Sequence, residues 1–172
     1  DAGADIVNDV AAMSWDSAMA SLVAERQVPV CLMHSKGDPR TMQLNPRYDD
    51  VVGEVYDHLA GQIALAEAAG IPKSRIIADP GIGFGKTLQH NLSLLRDLSL
   101  YHGLGCAVLL GASRKRFIGT LGDAPQAKDR GPGSIAVALH GASHGAQILR
   151  VHDAHQTRQA LNLWQALARQ ET

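Results

Sequence analysis

The sequence lacks the features that mark a membrane protein, a nucleic-acid-binding protein or a disulfide-rich protein. Its 172 residues include two cysteines and 4% aromatic residues, and the formal net charge is −1. This charge gives no overall attraction to nucleic acid or to an anionic membrane, and no basic run supplies a local one. No apolar stretch approaches the roughly 18 residues of a membrane span, and no signal-peptide pattern opens the chain. We therefore expect a soluble, cytoplasmic protein without nucleic-acid or membrane partners.

The cysteines and most histidines are not spaced like metal ligands. Cys31 and Cys106 fall in predicted strands, where cysteine packs as a small hydrophobe, so we expect both to be reduced. No tight ligand spacing indicates a zinc site. Six histidines lie in predicted helices or caps, and we assign them no chemistry: His58, His90, His102, His140, His144 and His155.

Five short apolar runs are the main positive signal. They occupy residues 4–7, 29–33, 75–78, 107–110 and 147–149. Each is followed by polar or charged residues and then by a helical pattern. Parallel strands buried between helices are apolar on both faces, so they read as continuous runs. The pattern predicts an α/β fold, either a (β/α) barrel or an open sheet, with functional residues at the carboxyl ends of the strands.

Helical patterns separate the runs. Apolar residues recur at i+3 and i+4 steps from Val51 to Ala66, and Gly70 with Pro72 is expected to end that helix. Thr87 is the expected N-cap of the next helix. The predicted helices cover about 14–23, 48–66, 87–98, 134–142 and 154–167.

The length and the start of the chain suggest part of a larger barrel. The chain opens at Asp1 without methionine, in what reads as a helix-to-strand connection. Five βα units of about 30 residues follow, whereas a complete (β/α)8 barrel needs about 250 residues. We expect one domain over residues 1–172, an incomplete TIM barrel that lacks its N-terminal strands.

The glycine-rich segment 79–87 follows the third run but fits no phosphate-loop motif. Pro80 occupies the position of the first P-loop glycine, and Lys86 that of the last glycine of the dinucleotide fingerprint. One interpretation is a tight turn with Asp79 as a helix cap. The other is that Pro80 orients Asp79 toward the barrel mouth, where a carboxylate suits the paired N–H donors of a guanidine-like heterocycle.

Cations follow the last two runs. Lys115 lies in the segment 113–116, which is rich in positive charge. Arg150 and His152 end the last strand, and residues two apart on a strand share one face. A solvated basic loop is the plain interpretation of 113–116. Convergence of these three residues instead predicts an anion site, with diphosphate as the candidate ligand.

The combined motifs resemble those of dihydropteroate synthases. They occur in the family's order along essentially the whole chain, although Ser35 and Lys36 depart from a common family pattern. The segments concerned are 8–10, 32–34, 39–43, 79–86, 113–115 and 150–153. The resemblance implies a TIM barrel that joins 6-hydroxymethyl-dihydropterin diphosphate to p-aminobenzoate in folate synthesis.

The resemblance also implies roles for eight residues. Asn8 and Asp79 would bind the pterin ring, and Lys115 would contact its carbonyl group and a ring nitrogen. Arg150 and His152 would hold the diphosphate, with Arg150 covering the pterin face. The remaining pocket residues would be Met33, Gly83 and Phe84, with Phe84 near the p-aminobenzoate ring. Lys115, Arg150 and His152 would be the catalytic residues.

In the family, diphosphate leaves first and the aromatic amine captures a pterin-stabilised carbocation. The resemblance further implies a Mg2+ cofactor, a homodimer at full length and a target of sulfonamides. The family's metal-binding asparagine and a further pterin-binding aspartate would precede Asp1, so we assign no metal ligand in this chain.

Two alternatives remain open. A pterin-binding domain serving a corrinoid methyltransferase would share Asn8 and Asp79, but one-carbon transfer does not need the cations Lys115, Arg150 and His152. A non-catalytic pterin-binding paralogue is the second alternative, and the intact set of matching positions disfavours it.

Overall fold

Five parallel strands form one sheet in the computed structural model, which describes residues 3–38 and 40–168. The strand order is β1-β2-β3-β4-β5, so each strand pairs with its neighbours in sequence. The strands are β1 (Val7–Asp9), β2 (Val30–Met33), β3 (Ile76–Asp79), β4 (Ala107–Leu110) and β5 (Ile148–Leu149). The five predicted runs are confirmed, except that β1 lies further along and includes Asn8 and Asp9.

Helices follow the strands as predicted, with two differences. The helices are α1 (Met19–Arg26), α2 (Val51–Ala68), α3 (Leu88–Arg96), α4 (Arg116–Leu121), α5 (Gly131–Ser143) and α6 (Ala154–Ala168). Helix α1 begins later than residue 14, because the Asp16 side chain accepts a hydrogen bond from the Ala18 N–H and closes a turn there. Helix α4 was not predicted, and it buries Phe117 and Ile118.

The predicted helix signals agree with the structure in detail. All five stripe residues of α2 between Val51 and Ala66 are buried. Thr87 caps α3 by accepting a hydrogen bond from the His90 N–H, and the His90 side chain accepts one from the Thr87 N–H in return. Three 3₁₀ segments complete the described structure: Lys73–Arg75, Leu98–Leu104 and Ala127–Arg130.

The two faces of the sheet pack against different partners. The main core lies between the sheet and the helices, whereas a small second cluster on the other face contains Cys31, Ile77 and Leu109. Both cysteines are free and buried, as predicted. Side chains alternate between the faces of a strand, so the residue two positions after each cluster member also lies on the inner face. The inner face of the sheet therefore continues to the carboxyl ends of the strands.

This arrangement is that of an incomplete (β/α)8 barrel. Helices cover one face of a parallel sheet, and the other face is the barrel interior. In the described part of the chain, β1 and β5 each pair with one neighbour, β2 and β4 respectively. None of the described helices has the length and apolar character required to cross a membrane.

Candidate active site

The carboxyl ends of the strands bring polar side chains to one rim. Asp79 follows Ile77 by two residues at the end of β3, and Arg150 follows Ile148 by two residues, directly after β5. The pairing register places Asn8 beside Cys31 and Met33 beside Asp79. On the inner face of the sheet, the apolar side chains of Ile77 and Ile148 are therefore each followed, two residues later, by a polar side chain at the rim.

Asp79 is a fully buried carboxylate with two partners. Its Oδ1 accepts a hydrogen bond from the Gly81 N–H at 2.8 Å, and its Oδ2 lies 3.1 Å from Nη2 of Arg150. Burial raises the pKa of Asp79 above its usual value, and the Gly81 N–H and Arg150 oppose that shift. The helix-cap interpretation of Asp79 is wrong for α3, since Thr87 is the N-cap of that helix.

The Arg150 guanidinium bridges two acceptors on different strands. Its Nη1 donates to Oδ1 of Asn8 at 2.5 Å, while its Nη2 pairs with Asp79. The side chain lies directly over Gly111, where an added Cβ would come within 2.5 Å of Nη2. The absence of a side chain at Gly111 thus leaves the space that the guanidinium occupies.

The glycine-rich turn is held from two sides. Gly83 adopts a positive φ of 80°, its N–H donates to Oδ1 of Asn91 at 2.6 Å, and its carbonyl accepts a hydrogen bond from the Gln43 side chain. Phe84 follows, and its ring centroid lies 3.8 Å from Nζ of Lys115. A cation over an aromatic face stabilises both groups, so this contact fixes the turn against Lys115.

The three cations of segment 113–116 point in different directions. Arg114 adopts a positive φ of 57° and forms a two-pronged ion pair with Asp153, at 2.7 and 3.3 Å. Arg116 begins α4. Lys115 lies between the two cavities described below, and burial lowers the pKa of its ammonium group. The solvated-loop interpretation is therefore wrong for Arg114 and Lys115, which are both partly buried.

Two cavities open at this rim and share Lys115. The smaller, of about 310 Å³, is lined by Phe84, Gly111, Ser113, Lys115, Arg150, Val151 and His152. His152 is oriented by Ser113, whose Oγ lies 3.0 Å from Nδ1. The larger, of about 610 Å³, extends past Gly83 between the segment 43–46 and helices α3 and α4.

Six of the eight predicted site residues form two groups at the rim, and Gly83 and Met33 lie outside these groups. Phe84, Lys115, Arg150 and His152 line the smaller cavity. Asn8 and Asp79 lie beneath the Arg150 guanidinium, and Gly83 borders the larger cavity. Met33 is buried against Gly81. Pro39, from the motif 39–43, lies outside the described residues.

The rim carboxylates already have partners, so they do not fit a magnesium site. Asp9 accepts hydrogen bonds from the Ala11 and Met13 N–H groups at 2.9 and 2.6 Å. Asp79 and Asp153 are paired with arginines. Within residues 3–38 and 40–168, no three His, Cys, Asp or Glu side chains group as metal ligands do.

Sequence analysis missed the interactions that hold the site together. Lys86 is only 4% exposed, and its Nζ lies 2.9 Å from Nδ1 of His34. The Arg114–Asp153 pair and the Asn91 contact were missed as well. The Lys86–His34 and Arg114–Asp153 contacts join segments 52 and 39 residues apart, so no local pattern indicates them. One feature of the sequence could have indicated a role for Lys86: it lies between the glycine-rich turn and Thr87, the expected N-cap of the next helix.

Comparison with known proteins finds relatives that share the sequence and the fold of this chain. The chain is 48% identical to a dihydropteroate synthase of Neisseria meningitidis serogroup C over 166 residues, which covers 96% of this chain and 59% of that protein. A Xanthomonas albilineans dihydropteroate synthase solved with 4-aminobenzoic acid matches with a TM-score of 0.91 at 45% identity, covering 98% of this chain and 59% of that one. The Thermus thermophilus enzyme in complex with 6HMPPP matches with a TM-score of 0.91 at 44% identity, over 96% and 65% of the two chains.

The chain thus spans about 59% of the length of the Neisseria relative. The family model of pterin binding enzymes matches residues 1–152, which include every residue of the two groups at the rim. On this match, the chain belongs to the pterin-binding enzyme family.

Proposed function

We propose that this chain forms the larger part of a dihydropteroate synthase. The whole enzyme would join 6-hydroxymethyl-7,8-dihydropterin diphosphate to p-aminobenzoate, giving 7,8-dihydropteroate and diphosphate. One observation carries the proposal: the planar Arg150 guanidinium rests on Asn8 and Asp79, two acceptors at the base of a cation-lined cavity. The paired N–H donors of Arg150 thus bond the same two acceptors that the edge of a pterin would use in this proposal.

In this proposal the pterin replaces the guanidinium. The amino group and a ring N–H of the pterin donate to the Asp79 carboxylate, and Asn8 bonds the ring from the β1 side. Met33 and Gly83 complete the pocket around the ring. Because Asp79 is buried, leaving its charge unpaired is costly, so Arg150 supports it until the substrate arrives.

The released Arg150 then binds the diphosphate together with His152. The bond between the methylene carbon and the diphosphate oxygen breaks, and its electron pair leaves with the diphosphate. Arg150, His152 and Lys115 neutralise the charge that develops on the leaving group. Lys115 also contacts the pterin carbonyl group from the side opposite Asp79.

The acceptor would approach from the larger cavity. That cavity meets the smaller one at Lys115, beside the Phe84 ring. The amine nitrogen of p-aminobenzoate forms a bond to the cationic methylene carbon and then loses a proton. Correct orientation of the two substrates and exclusion of water at this boundary supply much of the rate acceleration.

Magnesium is proposed only for the longer protein. The described carboxylates of this chain do not fit the ion, so no step above depends on it. Homodimer formation, a cytoplasmic location and inhibition by sulfonamides are further parts of the proposal. Ultracentrifugation, cell fractionation and inhibition assays on the full-length protein test each of them separately.

Diphosphate release from the pterin substrate tests the proposed function. We expect the full-length protein, when p-aminobenzoate is supplied, to release one diphosphate for each 7,8-dihydropteroate formed. Methyl transfer from a methylated pterin to a corrinoid, without diphosphate release, would favour the methyltransferase alternative. Tight pterin binding with neither reaction would favour the non-catalytic paralogue.

A further inference from the structure

Lys86 is a buried lysine with no role in the proposed mechanism. It follows the glycine-rich turn, its side chain is 4% exposed, and part of it borders the larger cavity. Lysine is rarely buried unless its charge is paired or hydrogen-bonded. The environment of Nζ therefore decides what this residue does.

The ammonium group is hydrogen-bonded to His34, at the end of β2, and to the glycine-rich turn. Its Nζ lies 2.9 Å from Nδ1 of His34, 3.1 Å from the carbonyl oxygen of Phe84 and 3.5 Å from the carbonyl oxygen of His34. A protonated lysine has three hydrogens to donate, and these three acceptors use them. Burial and the charge of Lys86 lower the pKa of His34 to about 3, so its neutral ring can accept through Nδ1.

The segments that Lys86 joins are in direct backbone contact. Gly81 has a φ of 70°, and a Cβ there would overlap the carbonyl oxygen of His34. Gly85 has a φ of 62°, and a Cβ there would overlap the carbonyl oxygen of Lys36. Three positive-φ glycines give the turn little intrinsic preference for one conformation, so cross-links to its neighbours must hold it.

The same turn places the groups at the boundary of the two cavities. Phe84 lies under the Lys115 ammonium group, and a Cβ at Gly83 would be 3.1 Å from Cδ of Lys115. A shift of the turn therefore moves Phe84 and Lys115 together. Because near-attack geometry is sensitive to displacements of about 1 Å, such a shift affects the reaction more than pterin binding.

We propose that Lys86 is a positioning residue for the reaction proposed above: its ammonium group fixes the glycine-rich turn to the end of β2 and so sets Phe84 and Lys115 between the two substrates. The inference rests on the proposed synthase activity for its kinetic consequence. The structural consequence, a more mobile turn when Lys86 is replaced, does not depend on that activity.

The charge of Lys86 responds to pH near neutrality. Burial lowers its pKa to about 7, while Asp79 on β3 raises it and Lys115 lowers it. The other titratable groups that interact with Lys86 are His34 at the end of β2, His58 on α2 and His90 on α3. Deprotonation removes one of the three donated hydrogens, so the turn should loosen as the pH rises through about 7.

Kinetics of Lys86→Met in the full-length protein provide the first test. We expect kcat to fall about 10- to 100-fold, while the dissociation constant of the pterin alcohol changes less than about threefold. The wild-type decline of kcat above about pH 7 should disappear in the variant. Lys73→Met is the matched control, because Lys73 precedes β3 at the opposite end of the sheet and pairs with Glu67. Unchanged kcat and an unchanged pH profile in Lys86→Met overturn the proposal.

Hydrogen exchange in the ligand-free protein provides the second test. We expect the amides of residues 82–85 to exchange about tenfold faster in Lys86→Met, with no change in Lys73→Met. If the wild type makes no dihydropteroate but this difference is found, the synthase proposal fails and the role of Lys86 in holding the turn stands. Equal exchange in the wild type and Lys86→Met contradicts that role.

If Lys86→Met does not fold, nitrogen-15 NMR of the lysine side chains in the wild type provides a third test. The Lys86 ammonium hydrogens should exchange with water far more slowly than those of Lys73, and addition of pterin alcohol should not shift them. Exchange as fast as that of Lys73, or a large shift with pterin, would show that Nζ does not hold the turn.

Discussion

Under the proposed function, Asp79 is the residue on which pterin binding should depend most. It is fully buried, and its two oxygens face the Gly81 N–H and the Arg150 guanidinium. In the full-length protein, Asp79→Asn replaces one acceptor by a donor and removes the charge. Each lost charge-assisted bond is worth about 1.5–3 kcal/mol, so pterin affinity should fall roughly 10- to 100-fold. Calorimetry measures this change, and unchanged affinity would remove Asp79 from the site.

Arg150 has two successive partners in the proposed mechanism. Before substrate binds, it supports Asn8 and Asp79, and afterwards it binds the diphosphate. Arg150→Ala should therefore weaken the binding of the pterin diphosphate far more than that of the pterin alcohol. The pterin alcohol has no diphosphate for Arg150 to bind, and in the variant it no longer has to displace the guanidinium from Asp79. Equal losses for both ligands, measured by calorimetry, would show that Arg150 acts on the pterin ring alone.

Among the elements, the glycine-rich turn has the least freedom to change. Gly81→Ala would place a Cβ against the His34 carbonyl oxygen at a positive φ, so we expect a loss of at least about 3 kcal/mol of stability. Gly61→Ala is the control, because a Cβ at this exposed position of α2 meets no atom within 4 Å. Helix propensity should make it more stable by about 0.5–1 kcal/mol. Urea unfolding of the full-length variants measures the change in the free energy of unfolding for both substitutions. Similar changes at Gly81 and Gly61 would contradict the packing described for the turn.

The strands and their carboxyl ends could be predicted from the sequence because each buried strand appears as a short continuous run of apolar residues. Asp79 and Arg150 directly follow apolar runs, and the alternation of side chains then orients them to one face. Helix α4 could not be predicted, because it is short and its apolar residues, such as Phe117, follow a run of cations. The contact of Lys86 with His34 spans 52 residues, so only the folded chain brings the two together.

The directions of the cationic side chains in segment 113–116 could not be predicted from the sequence either. Their sequence indicates positive charge near a strand end but gives no direction for each side chain. The Arg114–Asp153 ion pair and the positive φ of Arg114 turn that residue away from the cavity. Lys115 is left to face Phe84. The directions of Arg114 and Lys115 are decided by Asp153, which follows β5, and by Phe84 on the glycine-rich turn, both remote in sequence.

For the whole molecule, the architecture predicts that the 172-residue chain alone does not form dihydropteroate. In its described part, β1 and β5 each have one unpaired side, and exposed strand edges promote aggregation. The chain also spans only 59% of the Neisseria relative. A rate for the purified chain close to that of the full-length protein would show that the five βα units are sufficient, and light scattering would report the expected aggregation.

Formation of 7,8-dihydropteroate by the full-length protein is the decisive test of the proposed function. Purified protein is incubated with pterin diphosphate and isotopically labelled p-aminobenzoate, and the product is identified by mass spectrometry. We expect labelled dihydropteroate from the wild type, with diphosphate released in equal amount, and a large loss of product with Asp79→Asn. Absence of labelled product from a folded wild-type protein that binds both substrates would contradict the proposed function.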